Sequence, residues 1–284
     1  MSLPADSHVH SEWSWDTGGP SSDARGRMRA TCAQAMRIGL PALVFTEHLD
    51  IPRSWRADPD DLMPHQQQLL RREGLVDPVW LDLPGYLECV ARCRRAFPDL
   101  TILTGVEFGQ PHLFEQEAAS RVDLRSLDRV NGSLHTLAMG APHRAEPGTL
   151  FREHPADDVM WAYLSEAVAM ANSSASFDVF THLDYAVRLW PLRDAGPFDP
   201  RRFEEGFRAA MGAIASSGRA LEMNTRRLWP WMPQWWAEEG GRRIAFGSDA
   251  HTPEMLAANF PEAVAMVEHF GFRPGSRPED FWIR

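Results

Sequence analysis

Seven short apolar runs, each ending in polar residues, constrain this chain more than any other feature. They are "ADSHVH" (5–10), "PALVFTEH" (41–48), "TILTGVEF" (101–108), "DRVNGSLH" (128–135), "FDVFTHLD" (177–184), "ALEMNT" (220–225) and "RIAFGSDAH" (243–251). Amphipathic segments lie between them. Apolar residues recur at near-helical spacing over Ala24 to Ile38, Tyr86 to Phe97, Asp157 to Ala171, Arg201 to Ser216 and Glu262 to Phe270. Strands that alternate with helices build βα units around a parallel sheet. Seven units without a break in composition favour a closed sheet over an open one. The expected fold is therefore α/β, a distorted (β/α)7 TIM-like barrel formed as a single domain over residues 1–284. Two stretches exceed ordinary connections and read as loops on the functional side. One is the irregular segment 51–84, rich in Pro, Asp and Gln; the other is the Trp-rich loop "RRLWPWMPQWW" at 226–236.

Composition narrows the class. Hydrophobic residues make up 44% of the 284, enough for a sizeable core, and the formal net charge is −10 with every base an arginine. An acidic surface disfavours nucleic acid and anionic membranes as partners, so a small phosphorylated substrate would need local positive charge from a metal or an arginine. Cys32, Cys89 and Cys93 are too few for a disulfide framework and read as reduced, half-buried thiols. The opening "MSLPADSHVH" has neither a basic nor an apolar signal region, and no run is long and apolar enough to span a membrane. A cytoplasmic protein is expected.

Six of the eleven histidines close the apolar runs: His8, His10, His48, His135, His182 and His251. Glu107 ends the third run and Asp249 sits in the seventh, while His65, His112, His143, His154 and His269 fall elsewhere. In a parallel barrel all C-terminal strand ends share one rim, the rim where such folds do chemistry. A lone histidine at a strand end is more often a core or surface residue than a ligand. Clustering by position within the repeating unit outweighs that base expectation. Imidazoles and carboxylates gathered on one rim make a multinuclear metal site. Side chains two apart on a strand share a face, so His8 and His10 can chelate one ion.

In order along the chain, "DSHVH", "FTEH", "GVEF", "GSLH", "THLD", "EMNT" and "GSDAH" resemble the motifs of the polymerase-and-histidinol-phosphatase (PHP) family, from Asp6 to His251. The chain resembles its stand-alone histidinol-phosphatase type. The resemblance implies two to three divalent ions (Mn, Fe or Zn) in a trinuclear centre. His8, His10, Glu107 and Asp249 would hold the first, with Glu107 bridging to a second completed by His135 and His182. Asp16, His48 and His251 would hold the third. Many such phosphatases have histidine where this chain has Asp16; a carboxylate is a harder ligand and tilts that site from Zn toward Mn or Fe.

The implied activity is metal-dependent phosphomonoester hydrolysis, with L-histidinol phosphate as substrate, histidine biosynthesis as pathway and a metal-bridging hydroxide as nucleophile. Glu107 is a catalytic candidate through the ions it would bridge. Asp184 either protonates the leaving oxygen or steadies an imidazole, the second being the blander role for such a carboxylate. Arg188 is the first choice for a phosphate clamp and Arg226 the second, and Asn224 is a further substrate-binding candidate. Trp13 and Trp15 either join the core or wall the pocket. Two alternatives stand beside this reading: a phosphoesterase for a nucleotide or sugar phosphate, and a non-catalytic, metal-stabilised interaction domain.

Overall fold

In the computed structural model, which describes residues 3–284, the apolar runs are strands and the amphipathic segments are helices. The strands are β1 (Asp6–Val9), β2 (Ala42–Leu49), β3 (Trp55–Arg56), β4 (Thr101–Gly109), β5 (Arg129–Ser133), β6 (Arg144–Ala145), β7 (Val179–Phe180), β8 (Ala220–Asn224), β9 (Arg243–Gly247) and β10 (Trp282–Ile283). The helices are α1 (Arg27–Ile38), α2 (Leu83–Ala96), α3 (Pro111–Ala119), α4 (Pro147–Glu153), α5 (Ala156–Asn172), α6 (Tyr185–Arg188), α7 (Leu192–Ala195), α8 (Glu204–Ser217), α9 (Trp231–Glu238) and α10 (Phe260–His269).

Seven strands pair in parallel in the order β1-β2-β4-β5-β7-β8-β9. The longest pairing runs from Ala42↔Thr101 to Leu49↔Phe108. The strands are buried on both faces, as a parallel sheet requires when helices cover its outside. The sheet curls back on itself: the Asp249 amide donates to the His8 carbonyl at 2.8 Å, and the His10 amide to the Ala250 carbonyl at 2.8 Å. These bonds join β1 to the chain just beyond β9. The start of β9 has another neighbour. There β10 adds antiparallel, Trp282 opposite Ile244, so the outer edge of β9 is divided between two partners. The seven parallel strands are those expected; β10, two residues long, is too short to have shown a period.

Each long helix turns one stripe to this sheet. In α1 the buried residues are Met28, Thr31, Cys32 and Ala35, a 3.6-residue rhythm, and the helix stops at Gly39, whose φ of 71° suits a residue without Cβ. Helix α2 starts where the Asp82 carboxylate accepts the Gly85 amide at 3.1 Å. The barrel floor is apolar, made of Val179, Ala220 and Ala245 with Phe281 packed against them. No helix among the described residues is long and apolar enough to cross a membrane.

The two long loops differ from their sequence reading in one respect. Segment 51–84 is mostly irregular, as expected, and is tied down by pairing of β3 with β6 and by Asp61, which accepts from Thr149 and Arg152. Segment 226–236, by contrast, is half helix. Met232, Pro233, Trp235 and Trp236 of α9 are buried, and the Trp231 and Trp235 rings pack at tilted angles against one another and against Phe207 of α8. Tertiary burial of aromatics overrides their weak helix propensity here.

Candidate metal centre

Strand geometry brings the ligands to one place. His8, His48 and Glu107 lie on β1, β2 and β4, and His135, His182 and Asp249 each follow two residues after the end of their strand. Two of them need unusual backbone: His182 has φ of 21° and Asp249 of 54°. Non-glycine residues at positive φ are strained, and hydrogen bonds hold both in place. The His182 amide donates to Glu222 Oε2 at 2.7 Å, and the Asp249 amide donates to the His8 carbonyl.

The atoms of the first expected set converge. His8 Nε2 and His10 Nε2 are 3.1 Å apart. Glu107 Oε2 lies 3.3 and 3.4 Å from them, and Asp249 Oδ1 lies 3.8 and 3.6 Å away. Four ligands at roughly 2.1 Å around a tetrahedral ion are about 3.4 Å from one another, so the spacing is that of a coordination shell. The hydrogen bonds behind the two rings set their tautomers. His8 Nδ1–H donates to Glu222 Oε1 at 2.6 Å. His10 Nδ1–H donates to Ser14 Oγ at 2.9 Å, and that hydroxyl donates in turn to Glu47 Oε2 at 2.7 Å. Both Nε2 atoms then present lone pairs across a 3.1 Å gap. Two nitrogens this close need a proton or a cation between them, and with the Glu107 and Asp249 oxygens at coordination spacing beside them the residues fit a metal ion.

Glu107 divides its oxygens. Besides the pair above, Oε2 is 3.2 Å from His48 Nδ1, while Oε1 is 2.7 Å from His182 Nε2 and 3.2 Å from His135 Nε2. A carboxylate placed like this can bridge two ions. Asp16 Oδ2 lies 2.7 Å from His251 Nε2 and 3.6 Å from His48 Nε2. The His10 ring stacks between His48 and His251, with centroids 4.5 and 4.2 Å away. Asp16 Oδ1 and His182 Nδ1 are buried without a hydrogen-bond partner.

Electrostatics point the same way. Burial works against charge on His8, but Glu222 and then Glu107 and Asp249 raise its pKa well above the usual imidazole value. Burial, and then His251 and His48, push His10 down to about 3. Burial also opposes charge on His135, yet Glu107 and Asp50 lift it to about 10. The cluster of carboxylates thus demands positive charge that adjacent rings cannot all carry as protons.

The structure brings all nine expected ligand-type residues together and adds three others. Asp50 sits 3.3 Å from His48 Nδ1 and 3.6 Å from His135 Nδ1, forming a group of its own with them. Its signal was the spacing His48-x-Asp50 on an inward face. Glu222 and Glu47 act through His8 and His10; each lies inside an apolar run, where a lone glutamate carries no signal of its own.

Two of the expected neighbours lie away from the cleft. Arg188 and Arg226 do line the cleft, where Arg188 Nη1 donates to Asp249 Oδ2 at 2.9 Å and Arg226 Nη1 at 3.4 Å. Asp184 does not line it. Asp184 is buried at the start of α6, accepts from Trp229 Nε1 at 3.1 Å and lies 3.6 Å from Arg188, a placement that suits holding the arginine. Asn224 is likewise withdrawn. Its amide donates to Glu222 at 3.3 Å and its oxygen accepts from the Arg226 amide at 3.1 Å. The tryptophans separate: Trp15 walls the cleft and donates to Asp50 Oδ2 at 2.9 Å, whereas Trp13 lies against Gly85 at the start of α2.

Known proteins are similar to this chain over much of its length. The histidinol-phosphatase of Lactococcus lactis is 24% identical over 276 residues, covering 94% of this chain and 91% of its own. A Clostridium acetobutylicum protein named "Probable histidinol-phosphatase" is 26% identical over 181 residues, 61% of this chain and 69% of its own. The crystal structure of histidinol phosphate phosphatase from Lactococcus lactis, complexed with Zn, L-histidinol and phosphate, superposes with a TM-score of 0.74 at 21% identity, over 98% of each chain. The PHP domain family matches residues 6–226; Asp249 and His251 lie beyond that span and complete the cluster through the closure of β1 onto β9. The chain belongs to the PHP family.

Proposed function

We propose that this chain is a metal-dependent phosphomonoesterase that hydrolyses L-histidinol phosphate. The observation that carries the reading is the pair of imidazole lone pairs, on His8 and His10, facing each other beside a Glu107 whose two oxygens face different imidazoles. The relatives' names supply the substrate. We assign three ion sites: His8, His10, Glu107 and Asp249; Glu107, His135 and His182; Asp16, His48 and His251. Divalent ions bound there supply Lewis acidity toward phosphate oxygens and toward the attacking water.

The chain's own groups do the rest. Arg188 lines the cleft where a phosphate would sit, with Nη1 on Asp249 Oδ2 and Nη2 3.6 Å from Asp184 Oδ1. Burial opposes its charge, but Asp184 and Asp249 hold its pKa above the ordinary arginine value, so it stays cationic. Asp184 is a positioning residue for that guanidinium. Arg226, more exposed, supplies a second donor at the cleft edge. Trp15, Trp55 and Leu62 line the cleft and limit water around the bound ester. The thiols of Cys32, Cys89 and Cys93 are all free and buried, and line no part of the cleft; attack by water without a covalent intermediate agrees with this. Free thiols also suit a reducing compartment, and we read the enzyme as cytoplasmic and as one domain.

Asp16 is a hard ligand in a set otherwise rich in imidazole, so the metals are best tested side by side. Protein reconstituted with Mn, Fe or Zn is expected to release phosphate from L-histidinol phosphate well above a panel of nucleotide and sugar monoesters. Elemental analysis is expected to find about two to three ions per chain. Equal low rates across the panel would overturn the substrate, and less than one ion per chain after reconstitution would overturn the centre.

A further inference from the structure

The cleft carries more negative charge than the metal centre explains. Six carboxylates line it: Asp16, Asp50, Asp61, Glu107, Glu146 and Asp249. Five have cationic or imidazole partners. Asp16 faces His48 and His251, Asp50 faces His48 and His135, and Glu107 faces the imidazole cluster. Asp249 pairs with Arg188 and Arg226. Asp61 is bound by Arg152 and Thr149. Glu146 alone among them makes no ion pair with an arginine or histidine, and Tyr185 is among its neighbours.

Its backbone is fixed. Glu146 follows β6, caps α4 and accepts the Leu150 amide at 3.1 Å, and β6 is paired with β3 of the long 51–84 segment. A partly buried carboxylate held in a cleft without a cation is costly unless a ligand brings one. Burial, the largest influence on it, lifts the Glu146 carboxyl to about 7, and a bound cation would hold it ionised. The groups that act on Glu146 most are His135, Asp50 and Asp61. The arginines instead gather around Asp249. A substrate with phosphate at the arginines and a positive group toward Glu146 would match both.

We propose that Glu146 binds the ammonium group of the substrate and sets the preference for amine-bearing phosphomonoesters over matched esters without the amine. This rests on the phosphatase reading above, whose substrate carries such an amine. Glu146 is placed here as a specificity residue with no part in bond cleavage. Its charge-assisted hydrogen bond is of the strong kind, and its loss corresponds to a change of about ten- to a hundredfold in affinity.

The test compares L-histidinol phosphate with its deaminated analogue, in wild type, Glu146→Gln and Glu146→Asp. The readout is the ratio of kcat/KM between the two esters, which does not depend on how much of a preparation is active. In Glu146→Gln the ratio is expected to fall at least about tenfold, mainly through KM, and Glu146→Asp is expected to restore part of it. Calorimetric binding of the product amino alcohol, L-histidinol, is expected to weaken by a similar factor. A ratio unchanged in Glu146→Gln would overturn the proposal. So would an equal loss on both esters, the mark of a structural role. Should wild type hydrolyse neither ester, the phosphatase reading fails by itself, and Glu146 is judged by calorimetry: equal L-histidinol affinity in wild type and Glu146→Gln would overturn it.

Discussion

At the scale of single residues, His8 shows how much of a candidate metal ligand's behaviour is set from behind. Its Nδ1–H is fixed on Glu222, and Glu222 also accepts the amide of His182. One carboxylate thereby orients two ligands on different strands. Such outer partners raise ligand basicity and hold the ring in place. Glu222→Gln is expected to weaken metal binding by about 10–100-fold, read as ions retained per chain after dialysis against graded chelator. Retention equal to wild type would show that His8 needs no such support. Eight of the candidate ligands were legible in the sequence because they sit at the ends of apolar runs, whereas Asp16 was supplied by the family resemblance alone. Glu222 was not legible, since within "ALEMNT" it is an ordinary polar residue in a strand until the barrel turns it inward.

Among the elements, close approach of strands is as important as the side chains they carry. At Gly247 in β9, a Cβ would meet the Glu222 carboxylate and the His8 Cβ. The glycine leaves the space in which that hydrogen bond forms. Overpacking of this kind typically costs about 1–3 kcal/mol. Gly247→Ala is expected both to lower the melting temperature and to release metal at a lower chelator concentration than wild type. A variant with lower stability but full metal retention would show that the clash relaxes away from His8. The long helices were legible from their spacing. Helix α9 was not, because prolines and tryptophans in "RRLWPWMPQWW" signal a loop, and only packing against α8 makes it helical.

For the whole molecule, the centre joins the beginning of the chain to its end. Asp16, Asp50, Glu107 and Asp249 concentrate negative charge in a protein that already carries a formal −10. Ions that bind only the folded state stabilise it by mass action. Stripping the metals at neutral pH is expected to lower the melting temperature by several degrees, and adding Mn or Zn back is expected to restore it. Differential scanning calorimetry with and without chelator would check this, and an unchanged transition would count against ions bound across the barrel mouth.

Asp16 aside, which only the family resemblance supplied, the sequence by itself determined the repeating βα pattern, the parallel sheet and eight ligand-type candidates at strand ends. These follow from local rules: apolar period, strand parity and the placement of histidine and carboxylate at strand ends. Only the tertiary structure decided which carboxylates stand behind the ligands, that Asp184 and Asn224 turn away from the cleft, and that Glu146 is left without a cation. Those facts depend on residues far apart in sequence meeting at sub-ångström tolerance, and no local period records such meetings. The aspartate of "DSHVHSEWSWD" is a ligand candidate on either view; the tryptophans beside it could be told apart only once the chain had folded around them.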